Sequence, residues 1–201
     1  MIHFILGGAR SGKSSFAENQ SLSFALNNKN EVSLTYVATA TKTDNEMTRR
    51  IQRHQQDRDP RWQLMECPIM LAEMVTKANA KEGEASLYLI DCLTLWLNNL
   101  LFALDNETEQ KTDELLSQYV QQFITALSAS KATFFIVSNE VGLGVIPMGS
   151  TTRLFVDHCG WLNQKVAAIA DKVTLVMAGI PMTLKSTNAK EIKSCVEKKN
   201  D

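Results

Sequence analysis

Ile2-His3-Phe4-Ile5-Leu6-Gly7-Gly8-Ala9-Arg10-Ser11-Gly12-Lys13-Ser14 is the stretch that decides the fold. A short, mostly apolar run reads as a buried strand and leads directly into a complete G-x-x-x-x-G-K-S. The residues that follow, Ser15-Phe16-Ala17-Glu18, begin a helical pattern. Glycines at Gly7, Gly8 and Gly12 let the backbone curl, so that successive N–H groups converge on phosphate oxygens, and the helix behind adds its positive N-terminal end. Nucleotide phosphates are therefore expected to contact Gly7, Gly8, Ala9, Arg10, Ser11, Gly12, Lys13 and Ser14. Lys13 is the expected catalytic cation, reaching the β- and γ-phosphates of ATP or GTP. Ser14 is expected to ligate the accompanying magnesium ion.

Outward from this loop, short apolar runs alternate with longer amphipathic segments. That order predicts an α/β fold of the P-loop NTPase type (RecA-like), a mostly parallel sheet flanked by helices. Residues 2–6, 32–37, 63–66, 87–90, 133–137 and 173–177 read as strands buried on both faces. Residues 180–184, after Gly179 and around Pro181, suggest a short antiparallel edge strand near the C-terminus. Leu115, Leu116, Tyr119, Val120, Phe123, Ile124 and Leu127 recur at three and four, and make one stripe on a helix of about four turns. Phe155, Cys159, Leu162, Val166 and Ile169 make a second stripe, with His158 on its polar side. Residues 1–185 form a single catalytic domain in this reading, and the polar, lysine-rich residues 186–201 a flexible tail.

A phosphate loop requires an acidic group at the end of another buried strand. Leu87-Tyr88-Leu89-Ile90-Asp91 has that form. Asp91 is thus a nucleotide-site residue and a magnesium ligand, although its position before Thr94 and Leu95 also suits a helix N-cap. Asn139 and Glu140 end another expected strand, where ligands bind in parallel sheets; Glu140 is read as a nucleotide contact, and Asn139 as either a contact or a cap. Gly142, Gly144 and Pro147 shape a loop across the site mouth. Asp157-His158-Cys159-Gly160 matches the D-x-x-G of switch GTPases but lies within a helical stripe, and no N-K-x-D is present, so a switch GTPase is excluded.

Bulk properties narrow the class further. With 21 Lys and Arg against 22 Asp and Glu, the net charge of −1 gives no electrostatic case for nucleic acid or an acidic membrane surface. The apolar stretch at residues 93–104 is interrupted by Asn98 and Asn99 and is too short to cross a bilayer. The cysteines are scattered, without CxxC pairs, as expected of reduced thiols in a cytoplasmic protein. Of the three histidines, His3 falls within the first strand. His54 stands among Arg50, Arg53 and Arg58, and on a helix Arg50, His54 and Arg58 share a face. Such a face is either a phosphate-gathering surface around a nucleophilic imidazole or simply a solvated polar face.

Several blocks together resemble one family. They are the phosphate loop; Tyr36-Val37-Ala38-Thr39-Ala40; Asp44 through Glu46-Met47 to Arg50-Ile51 and His54; and Arg61-Trp62. Asp91-Cys92-Leu93-Thr94 and Asn99-Leu100-Leu101 continue the match, as does the run Val137-Ser138-Asn139-Glu140-Val141-Gly142-Leu143-Gly144-Val145-Ile146-Pro147. Arg153, Asp157, Gly160, Asn163-Gln164 and Gly179-Ile180-Pro181 complete it. The pattern resembles the bifunctional adenosylcobinamide kinase / adenosylcobinamide-phosphate guanylyltransferase family of cobalamin biosynthesis.

The resemblance implies phosphorylation of the aminopropanol hydroxyl of adenosylcobinamide by ATP or GTP. Transfer of GMP from GTP onto that phosphate would follow, giving adenosylcobinamide-GDP. It also implies that His54 is the covalent guanylyl carrier, that Arg50 and Arg53 help bind the nucleotide, and that the chain forms a homo-oligomer, a trimer in the family. Trp161 departs from the pattern, standing after Gly160 where a basic residue is common. The other readings open at this point are a kinase acting on another small molecule and a non-catalytic nucleotide-binding regulator.

Overall fold

The computed structural model describes residues 1–28, 31–41, 59–78 and 85–187. Strand β1 (Ile2–Gly7) leads through the glycine loop into α1 (Lys13–Leu26), and β2 (Val32–Ala38) and β3 (Gln63–Glu66) follow. Next come α2 (Leu71–Ala78), β4 (Ala85–Asp91), α3 (Leu93–Ala103), α4 (Glu109–Ala129) and β5 (Thr133–Asn139). The chain continues with α5 (Ser150–Ile169), β6 (Lys172–Met177) and β7 (Ile180–Ser186).

The seven strands form one sheet in the order β3-β2-β4-β5-β1-β6-β7. Every pairing is parallel except β6 with β7. The expected antiparallel edge strand is therefore present. It begins at a two-residue turn in which Ala178 and Gly179 both have positive φ, 51° and 80°, the backbone that a tight hairpin requires.

All six residues of β1 are buried because helices cover both faces of the sheet, which is why the strand sequences read as continuous rather than alternating. Successive side chains nevertheless enter different cores. Phe4, Phe134 and Ile136 join Trp96, Leu97, Phe123 and Leu162 on the side of α2–α5. Ile5, Phe135 and Val137 join Ala17, Leu34, Tyr36 and Trp62 on the side of α1. Trp96 is fully buried and satisfies its indole N–H on the Ile69 carbonyl at 2.6 Å.

Strand β3, read above as buried on both faces, is exposed at all four residues, because it is the edge of the sheet and pairs with β2 alone. Two further elements differ from their sequence reading. Helix α4 has 21 residues, starting at a Thr108 cap whose side chain accepts from the Lys111 N–H. Its first turns carry Glu109, Gln110, Lys111, Asp113 and Glu114, so the apolar stripe that announced the helix begins only part-way along it. The second difference is His158, assigned above to a polar face. It is only 2% exposed, and its Nε2 lies 2.8 Å from Asp113 Oδ1. α4 lies along α5 and covers the side that a single stripe leaves for solvent.

Candidate active site

Parallel strands bring their C-terminal ends to one edge of the sheet. β1 and β5 run side by side with Gly7 opposite Asn139, and β1 and β6 with Gly7 opposite Val176. On the far side of β5, Asp91 of β4 stands opposite Val137. The phosphate loop and the acidic strand end are thus separated by one strand, with Asn139 and Glu140 emerging between them.

The loop's curl is visible in its dihedrals. Arg10 (φ 56°) and Gly12 (φ 91°) both take left-handed conformations, and the Ser11 N–H returns to the Gly8 carbonyl at 3.3 Å. Gly7 is required for space: a Cβ there would meet the Ser11 hydroxyl, and would lie 2.5 Å from the Val176 carbonyl oxygen. Lys13 is 8% exposed and folds back over its own loop, its Nζ donating to the Gly8 carbonyl at 3.0 Å. The Ser11 hydroxyl is buried within the loop with no hydrogen-bond partner, an unsatisfied polar group that a bound phosphate would satisfy. The β6–β7 turn supports the loop from outside, with the Gly179 N–H donating to the Ser11 carbonyl at 2.9 Å and the Gly179 Cα 3.4 Å from the Cβ position of Gly12. Gly179-Ile180-Pro181 thus acts on the loop itself, a function that its sequence pattern does not disclose.

Asp91 does not cap α3. The N-cap position is Cys92, which makes no side-chain cap bond, and the Asp91 carboxylate accepts the Tyr36 hydroxyl at 2.9 Å. Asn139 caps nothing either, since α5 begins after Gly149. The Asn139 main chain is clamped on both sides: its N–H donates to Thr94 Oγ1 at 2.7 Å, and its carbonyl accepts from Asn163 Nδ2 at 3.2 Å. The side-chain oxygens of both asparagines are buried without partners. Glu140 is tied down by its N–H to the Gly7 carbonyl at 3.2 Å, and its Oε1 accepts the Gly142 N–H at 2.8 Å. Beyond it, Leu143, Val145, Ile146 and Met148 are exposed, and Arg153 Nη1 holds the Pro147 carbonyl at 3.1 Å. His54, Arg50 and Arg53 lie outside the described residues.

Ser14 and Asp91 offer oxygen donors only, and among the described residues no group of three or more His, Cys, Asp or Glu could hold a metal ion. A donor set of one hydroxyl and one carboxylate suits magnesium, which keeps several waters and takes its other ligands from substrate phosphates.

A family model described as cobinamide kinase / cobinamide phosphate guanyltransferase matches residues 3–184. The chain belongs to this family. Among its relatives in the cobinamide kinase / guanyltransferase family are three named bifunctional adenosylcobalamin biosynthesis proteins. That of Pseudomonas aeruginosa is 40% identical, covering 92% of this chain and 98% of its own. That of Salmonella typhimurium is 36% identical over 92% of this chain and 100% of its own. The Escherichia coli protein is 32% identical with the same coverage. A solved structure from Pyrococcus horikoshii OT3 superposes with a TM-score of 0.50 over 94% of this chain and 88% of that one, at 8% identity, a likeness of fold alone.

Among the described residues Cys67, Cys92 and Cys159 are buried free thiols. Burial raises the Cys92 thiol to about 12, helped by the nearby Asp91 charge. Burial likewise raises Cys159 to about 12, and Cys67 is shifted upward for the same reason. Because the thiolate is the nucleophile, all three should stay unmodified by iodoacetamide at pH 8 in the folded protein and react once it is unfolded. Peptide mapping would show labelling of any of them in the native state.

Proposed function

We propose that this chain phosphorylates the aminopropanol hydroxyl of adenosylcobinamide with ATP or GTP, and then moves GMP from GTP onto the new phosphate through a guanylyl group carried on His54. The observation that carries this reading is the braced phosphate loop, with Lys13 drawn over it, on the same sheet edge as Asp91 and Asn139, in a chain of the cobinamide kinase / guanyltransferase family.

In the first step the substrate hydroxyl oxygen attacks the γ-phosphorus and gives up its proton to solvent, the bond to the β-bridging oxygen breaks, and the nucleoside diphosphate leaves. Lys13 and the loop N–H groups hold the β- and γ-phosphates and neutralise the charge that develops there. Ser14 and Asp91 would hold a magnesium ion, which would further neutralise the phosphate oxygens. In the second step an imidazole nitrogen of His54 attacks the α-phosphorus of GTP and pyrophosphate departs, with Arg50 and Arg53 stabilising its charge. An oxygen of adenosylcobinamide phosphate then attacks the same phosphorus, the P–N bond breaks, and the histidine is regenerated.

Ala9, Arg10, Ser11 and Glu140 complete the nucleotide site in this assignment. Residues 1–185 constitute one catalytic domain, acting in the cytoplasm as a homo-oligomer, a trimer by family resemblance. Among the described residues no helix is long and apolar enough to cross a membrane.

The direct test is the denatured intact mass after incubation with GTP and magnesium. A gain of one guanylyl group, lost in mild acid, is expected. Intact nucleotide binding without any adduct would replace this reading with that of a kinase alone.

A further inference from the structure

The run Tyr36-Val37-Ala38-Thr39-Ala40 carries part of the family resemblance, yet none of its residues has a place in the chemistry above. The structure puts it beside Asp91: β2 and β4 are neighbours, with Ala38 opposite Asp91. The Thr39 side chain is fully buried. Its hydroxyl donates to the Cys92 carbonyl at 2.7 Å and accepts the Cys92 N–H at 2.8 Å, while the Thr39 N–H donates to the Asp91 carbonyl at 3.2 Å. The main chain on the C-terminal side of Asp91 is thereby fastened to the end of β2. Three residues earlier, the Tyr36 hydroxyl donates to Asp91 Oδ2 at 2.9 Å. The Tyr36 ring is buried and meets Trp62 edge-on, with centroids 6.0 Å apart and planes at 87°. Trp62 comes from another block of the resemblance, Arg61-Trp62, that the chemistry leaves unused.

We propose that Tyr36 is a positioning residue: its hydroxyl holds one oxygen of the Asp91 carboxylate so that the other is presented to the nucleotide-bound magnesium. The proposal rests on the metal role given to Asp91 in the proposed function. The physical need is clear. The terminal torsion of an aspartate is broad and roughly two-fold, so main-chain anchoring by Thr39 alone leaves the carboxylate plane undetermined. A buried phenol of fixed position selects one orientation, and Trp62 fixes the phenol by packing against its ring. Hydrogen-bond partners behind a ligand typically govern metal affinity by about 10- to 100-fold.

The test is Tyr36→Phe, which removes one oxygen and retains the ring that packs on Trp62. Manganese would serve as the probe, titrated by electron paramagnetic resonance into the full chain with bound GDP. Tyr36→Phe is expected to weaken manganese binding by about tenfold. The magnesium concentration giving half-maximal rate should rise by a similar factor, with the rate recovering at saturating magnesium. In an Asp91→Asn background the same substitution should have no further effect on manganese.

Unchanged manganese affinity in Tyr36→Phe would overturn the proposal, as would an equal loss in the Asp91→Asn background. The binding measurement requires no corrinoid turnover and no guanylyl adduct. A chain that bound manganese through this pair yet formed no adduct would therefore overturn the proposed function while leaving the positioning role standing.

Discussion

His54→Ala is expected to abolish guanylyl transfer while phosphoryl transfer to the corrinoid alcohol continues. The two steps use different phosphorus atoms, and only attack at the α-phosphorus needs a protein nucleophile. Removing that nucleophile should lower guanylyl transfer by at least about 10³-fold, whereas the kinase rate should stay within about threefold of the native rate. GTP labelled at the α-phosphorus would report the first activity, through protein-bound and corrinoid-bound label. GTP labelled at the γ-phosphorus would report the second. Label from the α-position persisting on the variant protein would move the carrier to another residue. Loss of both activities would show instead that residue 54 is part of the shared triphosphate site.

Lys13→Ala is expected to lower both activities together. Its ammonium is the cation drawn in over the phosphate loop, 3.0 Å from the Gly8 carbonyl and with little exposure, so a bound triphosphate finds it already in place. Such pre-positioned charges and donors are typically worth about 10²- to 10³-fold in rate, and a loss of that size is expected in phosphoryl and guanylyl transfer alike. The folded structure should survive, because the hydrogen bond lost to the Gly8 carbonyl is worth about 1.5–3 kcal/mol for a charged donor while Gly7, Gly12 and the Gly179 brace keep the loop's shape. Thermal melting would check the fold, and the two labelled substrates the activities. A variant that kept guanylyl transfer at native rate would show that the two reactions hold the triphosphate differently.

These two variants test residues that were legible in the sequence for different reasons. Lys13 is announced by spacing: G-x-x-x-x-G-K-S between an apolar strand and a helix admits little else, and the structure reproduces that context in β1 and α1. Asp91 is announced by the apolar run before it, and it ends β4 as expected. His54 rests on resemblance, since its arginine-rich surroundings read equally well as a solvated face, and it lies outside the described residues. Tyr36 and Thr39 were visible as part of a pattern without a role. Their contact with Asp91 joins positions separated by about fifty residues, through adjacency of β2 and β4, and no local periodicity encodes which strands are neighbours.

The central strands followed from hydrophobic runs to within about two residues at each end, because helices on both faces of a parallel sheet demand continuous apolar strands. The antiparallel edge followed from Gly179 and Pro181. His158 fell on the polar side of a single stripe, but the packing of α4 on α5 buried it beside Asp113, and the strand at residues 63–66, expected to be buried, lies exposed at the sheet edge. By itself, then, the sequence determined the α/β class, the phosphate loop and the acidic strand end, all of which depend on local order along the chain. Only the tertiary structure decided that β5 stands between them, that the β6–β7 turn braces the loop, and that Tyr36 grips Asp91. Those relations depend on strand order and on burial from a second side, and neither has a local signature.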